Sequence, residues 1–167
     1  ESMFLELCLP LHKCALTGNW PKARCILDQN EGLKSAAITK EWSTLLHIAA
    51  GANQFAFVEK LLLLLDDEHI ALQDSKGQTA FCLAVASGNM PIVHLLMNRN
   101  PYLPTIRDIH GHTPIQFALE QGKSNVAWYL YDMSKDIFED RDKNSLFFTS
   151  IKAGDYGKPL LYLLTQF

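Results

Sequence analysis

Gly122, Lys123 and Ser124 bring together the residue types that close a phosphate-binding loop: a glycine that lets backbone approach an anion, a lysine and a hydroxyl. That loop also needs a glycine five residues before the second one. Phe117 stands there, so the spacing argues against nucleotide binding. Cys8, His12 and Cys14 carry metal-ligating atoms, yet no fourth ligand follows at zinc-like spacing, and no metal is expected. His110 and His112 flank Gly111 and could titrate near neutral pH or hold a metal weakly, although an exposed turn leaves such a pair simply solvated. Neither G-x-S-x-G nor H-E-x-x-H occurs, so no nucleophile meets a base and no cofactor site emerges. The chain is expected not to be an enzyme. Asp66, Asp67 and Glu68 read as a solvated loop.

Those residues must be positioned by elements, and the bulk numbers bound what the elements are. The 167 residues are 48% hydrophobic and 20% charged, ordinary for a globular domain with a core. A net charge of −3 and a pI near 6.1 provide no basic field for a phosphate backbone, which disfavours nucleic-acid partners. The four cysteines lack C-x-x-C spacing and read as small buried hydrophobes suited to a reducing compartment. The longest apolar run, Leu61 to Leu65, is far too short to cross a bilayer. No signal peptide is expected in ESMFLELCLPL, and Glu1 and Ser2 ahead of Met3 could be foreign to the natural chain.

One stretch, TLLHIAAGANQFAFVEKLL from Thr44, is echoed along the chain. LPLHKCALTGN begins at Leu9, TAFCLAVASGN at Thr79, TPIQFALEQGK at Thr113 and SLFFTSIKAGD at Ser145, so the starts advance by 35, 35, 34 and 32 residues. A second apolar stripe at helical spacing follows in ARCILD, FVEKLL, IVHLLM and VAWYLY, which predicts two antiparallel helices per unit. Position ten of the units is Gly18, Asn53, Gly88, Gly122 and Gly154, each tolerant of the left-handed backbone that ends a helix before an immediate reversal. DSKGQT (74 to 79) and DIHGHT (108 to 113) read as hairpins between units. TKEWST (39 to 44) has no glycine, and DRDKNS (140 to 145) has Asn144 beside the equivalent position, so those two turns must differ.

The T-P-L-H-x-A pattern, the turn glycine and the period resemble ankyrin repeats. The resemblance implies an all-α solenoid of about five helix-turn-helix units starting near 9, 44, 79, 113 and 145, within one domain over 1–167 whose first and last units act as caps. It also implies that His12 and His47 are buried and hydrogen-bonded to the first turn of their helices. Leu9, Cys82, Gln116 and Phe148 depart from the pattern and put local stability in question. The runs LHKCALTGNWPKARCILDQN, ITKEWSTLLHIAAGANQFAFVEKLL, LQDSKGQTAFCLAVASGN, NPYLPTIRD and VAWYLY are moreover similar to plant ankyrin-repeat membrane proteins whose C-terminal half carries a domain named for Pro-Gly-Gly. That likeness implies the soluble N-terminal part of a longer protein, lying on the cytosolic face of a membrane, most naturally the plasma membrane, and linked to stress or immune signalling. Any membrane contact would come through a C-terminal part.

A solenoid presents an extended concave face suited to a protein partner. Candidate contacts there are Trp42, Lys76, Gln78, His110 and His112 at the tips, with Lys13, Glu120 and Lys152 on the first helices. Trp42 has two readings, an exposed aromatic anchor or a side chain packed back on the first unit in compensation for the missing glycine. Trp128 and Tyr129 form a possible convex patch, or pack under the segment leading to the fifth unit. The alternative to a scaffold is a self-associating regulatory domain of a membrane transport protein.

Overall fold

The structure is a computed structural model that describes residues 4–155. Helices form in consecutive pairs: α1 (Leu9–Thr17) with α2 (Trp20–Gln29), α3 (Leu45–Gly51) with α4 (Phe55–Leu62), then, after the short α5 (Asp67–Ile70), α6 (Ala80–Ser87) with α7 (Met90–Arg99), and α8 (Pro114–Glu120) with α9 (Ser124–Ser134). A last helix, α10 (Asp140–Lys152), closes the described part. Among the described residues there is no β-strand, only an isolated antiparallel bridge between Gln73 and Thr79. The expected all-α solenoid is therefore what forms.

Each reversal has the local cause read from the sequence. Gly18, Asn53, Gly88, Gly122 and Gly154 have φ of 72°, 60°, 80°, 69° and 70°, the region that closes a helix without a Cβ penalty for glycine and with little for asparagine. Asn19 and Asn89 then restart the chain as N-caps, their side chains accepting from Lys22 N at 3.3 Å and Ile92 N at 3.1 Å. Pro21 and Pro91 follow in the first turns, where a missing N–H costs nothing.

The first helices stack in one layer, α1 on α3, α3 on α6, α6 on α8 and α8 on α10, while α4 packs against α7 behind them. Leu11, Leu45, Phe81, Ile115, Leu119 and Leu146 fill the seams at 0 to 1% exposure, so each unit's core is completed by its neighbour. Burial of one such side chain stabilises by about 1.5–3 kcal/mol, more than any single surface contact here contributes.

Four details differ from the sequence reading. Residues 140–145 are the first turns of α10, with no hairpin ahead of the fifth unit. Asp140 and Asp142 favour that helix start, and Asp142 accepts from Glu139 N at 3.1 Å in a capping box and takes an ion pair from Arg107. His12 is half-buried and its ring makes no hydrogen bond among the described residues; Leu9 stands where the second unit has Thr44, so no hydroxyl is offered to it. Cys25 is exposed on α2, unlike Cys8, Cys14 and Cys82, and all four are free thiols. Gln116 does not weaken its unit: its Oε1 accepts from Thr113 N at 2.8 Å and its Nε2 donates to Ser145.

Candidate functional site

The side formed by the first helices and the hairpin tips is built from two recurring pieces. Asp74 Oδ1 accepts from Lys76 N at 2.8 Å and Gln78 N at 2.9 Å, and Asp108 Oδ1 accepts from His110 N and His112 N at the same two distances. Each aspartate thereby folds its own tip. The tips then join each other through backbone: Ser75 N donates to Glu41 O at 2.8 Å, and Ile109 N to Lys76 O at 3.1 Å. Gly77, at φ 73°, permits this approach, since a Cβ there would lie 2.7 Å from Ile109 N.

In the second unit the same tip is made from different residues. Thr39 takes the aspartate's place, its Oγ1 accepting from Ser43 N at 3.1 Å, and Trp42 takes the glycine's place with φ 63°. A bulky side chain in that region costs on the order of 1–2 kcal/mol. Trp42 nevertheless remains 67% exposed, so it does not pack back on the first unit, and the compensation reading is corrected. The indole is held out at the rim by a backbone anchored on both sides.

Behind the tips, positions four and seven after the helix-start threonine share one helix face. In the central units these are Ile48 and Gly51 on α3, Leu83 and Ala86 on α6, and Phe117 and Glu120 on α8. Ile48, Leu83 and Phe117 are half-buried, and a Cβ on Gly51 would come to 3.8 Å from Leu83 Cβ, so adjacent helix faces abut in a smooth apolar strip. The sequence reading passed over these three residues in favour of charged ones. The signal was the variable position of the T-P-L-H-x-A pattern, apolar in all three units.

Lys13, Glu120 and Lys152 are exposed on α1, α8 and α10, and Lys76 and His110 are exposed at the tips. His112 is half-buried with Nδ1 3.6 Å from Asp108 Oδ2. Gln78, by contrast, is only 9% exposed and its carbonyl accepts a bond from His47, so it serves the fold and is not a contact residue. Trp128 and Tyr129 do not share a patch. The Trp128 indole donates to Asp155 Oδ2 at 2.8 Å toward the fifth unit, whereas Tyr129 faces α7 and stacks on His94 at 4.8 Å.

His47 ties the face together from beneath. Its Nδ1 accepts from Thr44 N at 3.2 Å, which leaves the proton on Nε2 to donate to Gln78 O of the next unit at 3.0 Å. Burial lowers its pKa, the bond to Gln78 partly opposing the shift. Cys82, at the same position one unit later, is pushed up to about 12 by burial and by Asp108 and Asp74, so its thiol stays protonated and packs as a hydrophobe. No helix of the described residues is long and apolar enough to cross a membrane.

A family model described as ankyrin repeats (3 copies) matches residues 46–141. The mouse ankyrin repeat and SAM domain-containing protein 6 is 28% identical over 72 residues, 43% of this chain and 8% of its own length. Alpha-latrotoxin-Lhe1a of Latrodectus hesperus is 26% identical over 68% of the chain and 8% of the toxin, and the target of rapamycin complex 2 subunit AVO2 of Saccharomyces cerevisiae is 26% identical over 70% of the chain and 27% of that protein. The chain thus spans a minor part of each of these relatives. A chain in the crystal structure of yeast ribosomal protein Rps3 with its chaperone Yar1 superposes with a TM-score of 0.66 at 25% identity, covering 73% of this chain and 89% of that one.

Proposed function

The chain belongs to the ankyrin-repeat family, a family of protein-interaction domains that is generally non-enzymatic, and from that premise we propose that it holds a protein partner across the strip of Ile48, Leu83 and Phe117, with Trp42 as the rim anchor. The observation that carries this reading is Trp42 itself. A glycine at that position would remove both the backbone strain and the exposed indole, and the two neighbouring tips use one. Strain kept at an exposed aromatic is a feature of contact sites rather than of scaffolding. Gly51 and Ala86 leave the strip low enough for a partner's side chains to reach it, and Lys76, His110, Lys13, Glu120 and Lys152 provide polar surroundings. The relatives fit a protein partner, since one is a complex subunit and a structural neighbour comes from a chaperone complex.

We read residues 1–167 as one repeat domain with capping end units. Its resemblance to plant ankyrin membrane proteins supports a place on the cytosolic face of a membrane in stress or immune signalling. The test is capture from plant extract with the chain as bait beside two variants, each first matched to the parent by circular dichroism: Leu83→Lys on the strip and Glu59→Lys on the exposed outer side of α4. Partners retained by the Glu59 variant and lost by the Leu83 variant support the proposal. Equal loss or equal retention, or capture of nothing but the parent protein, rejects it in favour of another surface or of self-association.

A further inference from the structure

The outer layer opens between α7 and α9 into a groove of about 430 Å³. His94 and Met97 line it from α7, Tyr129 and Met133 from α9, with Tyr102 and Ile137 at its margins. The His94 and Tyr129 rings lie 14° from parallel and make a flat ledge, beside which Tyr102, Met133 and Ile137 are 66%, 60% and 42% exposed. This lining is local. The hollow beside α2 holds about 80 Å³ and is lined largely by Arg24, Asp28, Glu31 and Lys34.

Among the described residues, the charged side chains that adjoin Met133 and Ile137 in sequence are acidic. Asp132 and Asp136 are exposed beside Met133 and Ile137 and enter no ion pair among the described residues. Arg99, the cation at the end of α7, is already committed to the carbonyls of Leu62 and Leu65 and to Asp67 at 2.8 Å. An anionic lipid surface would meet those unpaired carboxylates with like charge. A basic one would not.

We propose that this groove binds a basic amphipathic helix of a partner protein, with apolar side chains at i, i+3/i+4 and i+7 seated between Met97 and Met133 and Lys or Arg over Asp132 and Asp136. Two thioethers suit such a ledge because they repack around different apolar side chains. The groove lies on the opposite layer from Trp42 and the apolar strip, so it constitutes a second site, independent of the first.

Methionine methyl resonances provide the test, since the chain has four methionines: Met3, Met90, Met97 and Met133. The probe is a synthetic helix of about four turns with leucine at helical spacing and arginine elsewhere, beside a glutamate version and a scrambled arginine version. The expected result is a shift of Met97 and Met133 but not Met90, produced by the arginine helix alone. Asp132→Asn with Asp136→Asn should weaken its binding about tenfold, and Met133→Glu, at an exposed position, should abolish the Met97 shift. Equal shifts with either control peptide overturn the proposal. So do shifts produced by anionic phospholipid vesicles alone, by concentration-dependent dimerisation, or by Leu163→Asp in the chain's own C-terminal stretch without peptide.

Discussion

Replacing Gly77 by alanine should destabilise the chain distinctly more than replacing Gly111, although both occupy the same tip position at φ 73° and 83°. The shared part is the left-handed backbone, which costs a residue with a Cβ about 1–2 kcal/mol, offset by about 0.4–1 kcal/mol because alanine restricts the unfolded chain. For Gly111 that is the whole effect, about 1 kcal/mol, since nothing lies within 4 Å of its would-be Cβ. At Gly77 the new atom would sit 2.7 Å from Ile109 N and 3.0 Å from Asp108 C and Cα. These are backbone atoms and cannot rotate away, so the two tips must separate. The Ile109 N to Lys76 O bond then lengthens from 3.1 Å and is lost, adding about 0.5–1.5 kcal/mol. The Gly77 total is roughly 1.5–2.5 kcal/mol. At about 2–4 °C per kcal/mol for a domain of this size, melts followed by circular dichroism should show a loss near 2–4 °C for Gly111→Ala and about 3–10 °C for Gly77→Ala. Equal losses would refute the claim that close stacking of the tips stabilises the solenoid.

His47→Gln should be nearly neutral at pH 7.5, within about 1 kcal/mol, because Gln116 at the same position also accepts from its N-cap threonine and donates to the next unit, there to the Ser145 hydroxyl. Burial lowers the His47 pKa, so as pH falls below about 6.5 the unfolded chain takes up the proton first and stability declines; that decline should be shallower in the variant, as urea titrations at several pH values would reveal. Arg99→Ala should cost about 1–2 kcal/mol by removing its bonds to the carbonyls of Leu62, which keeps only a long bond from Leu65 N at 3.4 Å, and Leu65, while Arg99→Lys should recover only part; the urea midpoint measures both. Gly88→Val should cost about 1–2 kcal/mol from φ 80° alone, since the side chain it would meet is the flexible end of Lys123, and an unchanged melt would contradict the assigned turn.

What was legible in the sequence is what a residue decides within its own turn. All five position-ten residues are left-handed because each ends a helix that must reverse at once, and the Asp74 and Asp108 tips fold on their own side chains. What was not legible depends on neighbours or on substitutes. Thr39 does an aspartate's work and Trp42 a glycine's, and neither residue type announces that role. His12 has the motif histidine but lacks the hydroxyl that meets the His47 ring. The Asp140–Lys152 helix replaces the modified turn expected at 140–145, because acidic residues at its start form a cap where a tip would need a left-handed residue. At the candidate site the tips were named from charge, while Ile48, Leu83 and Phe117 were missed because apolar residues in a repeat read as core until the stacked helices leave one stripe half-covered.

The most direct test of the central claim is the partner affinity of the Trp42→Gly chain, measured beside its melting temperature. Glycine relieves the φ 63° strain, about 1–2 kcal/mol, but loosens the unfolded chain by about 0.4–1 kcal/mol, so the fold should gain about 1 kcal/mol of stability. The same change removes the indole from the rim, and an anchor of this kind is worth 2 kcal/mol or more, a loss of roughly thirtyfold in affinity. A more stable chain that binds its partner much more weakly is the predicted result. Unchanged affinity in that more stable chain would contradict the account and leave Trp42 with no role in recognition.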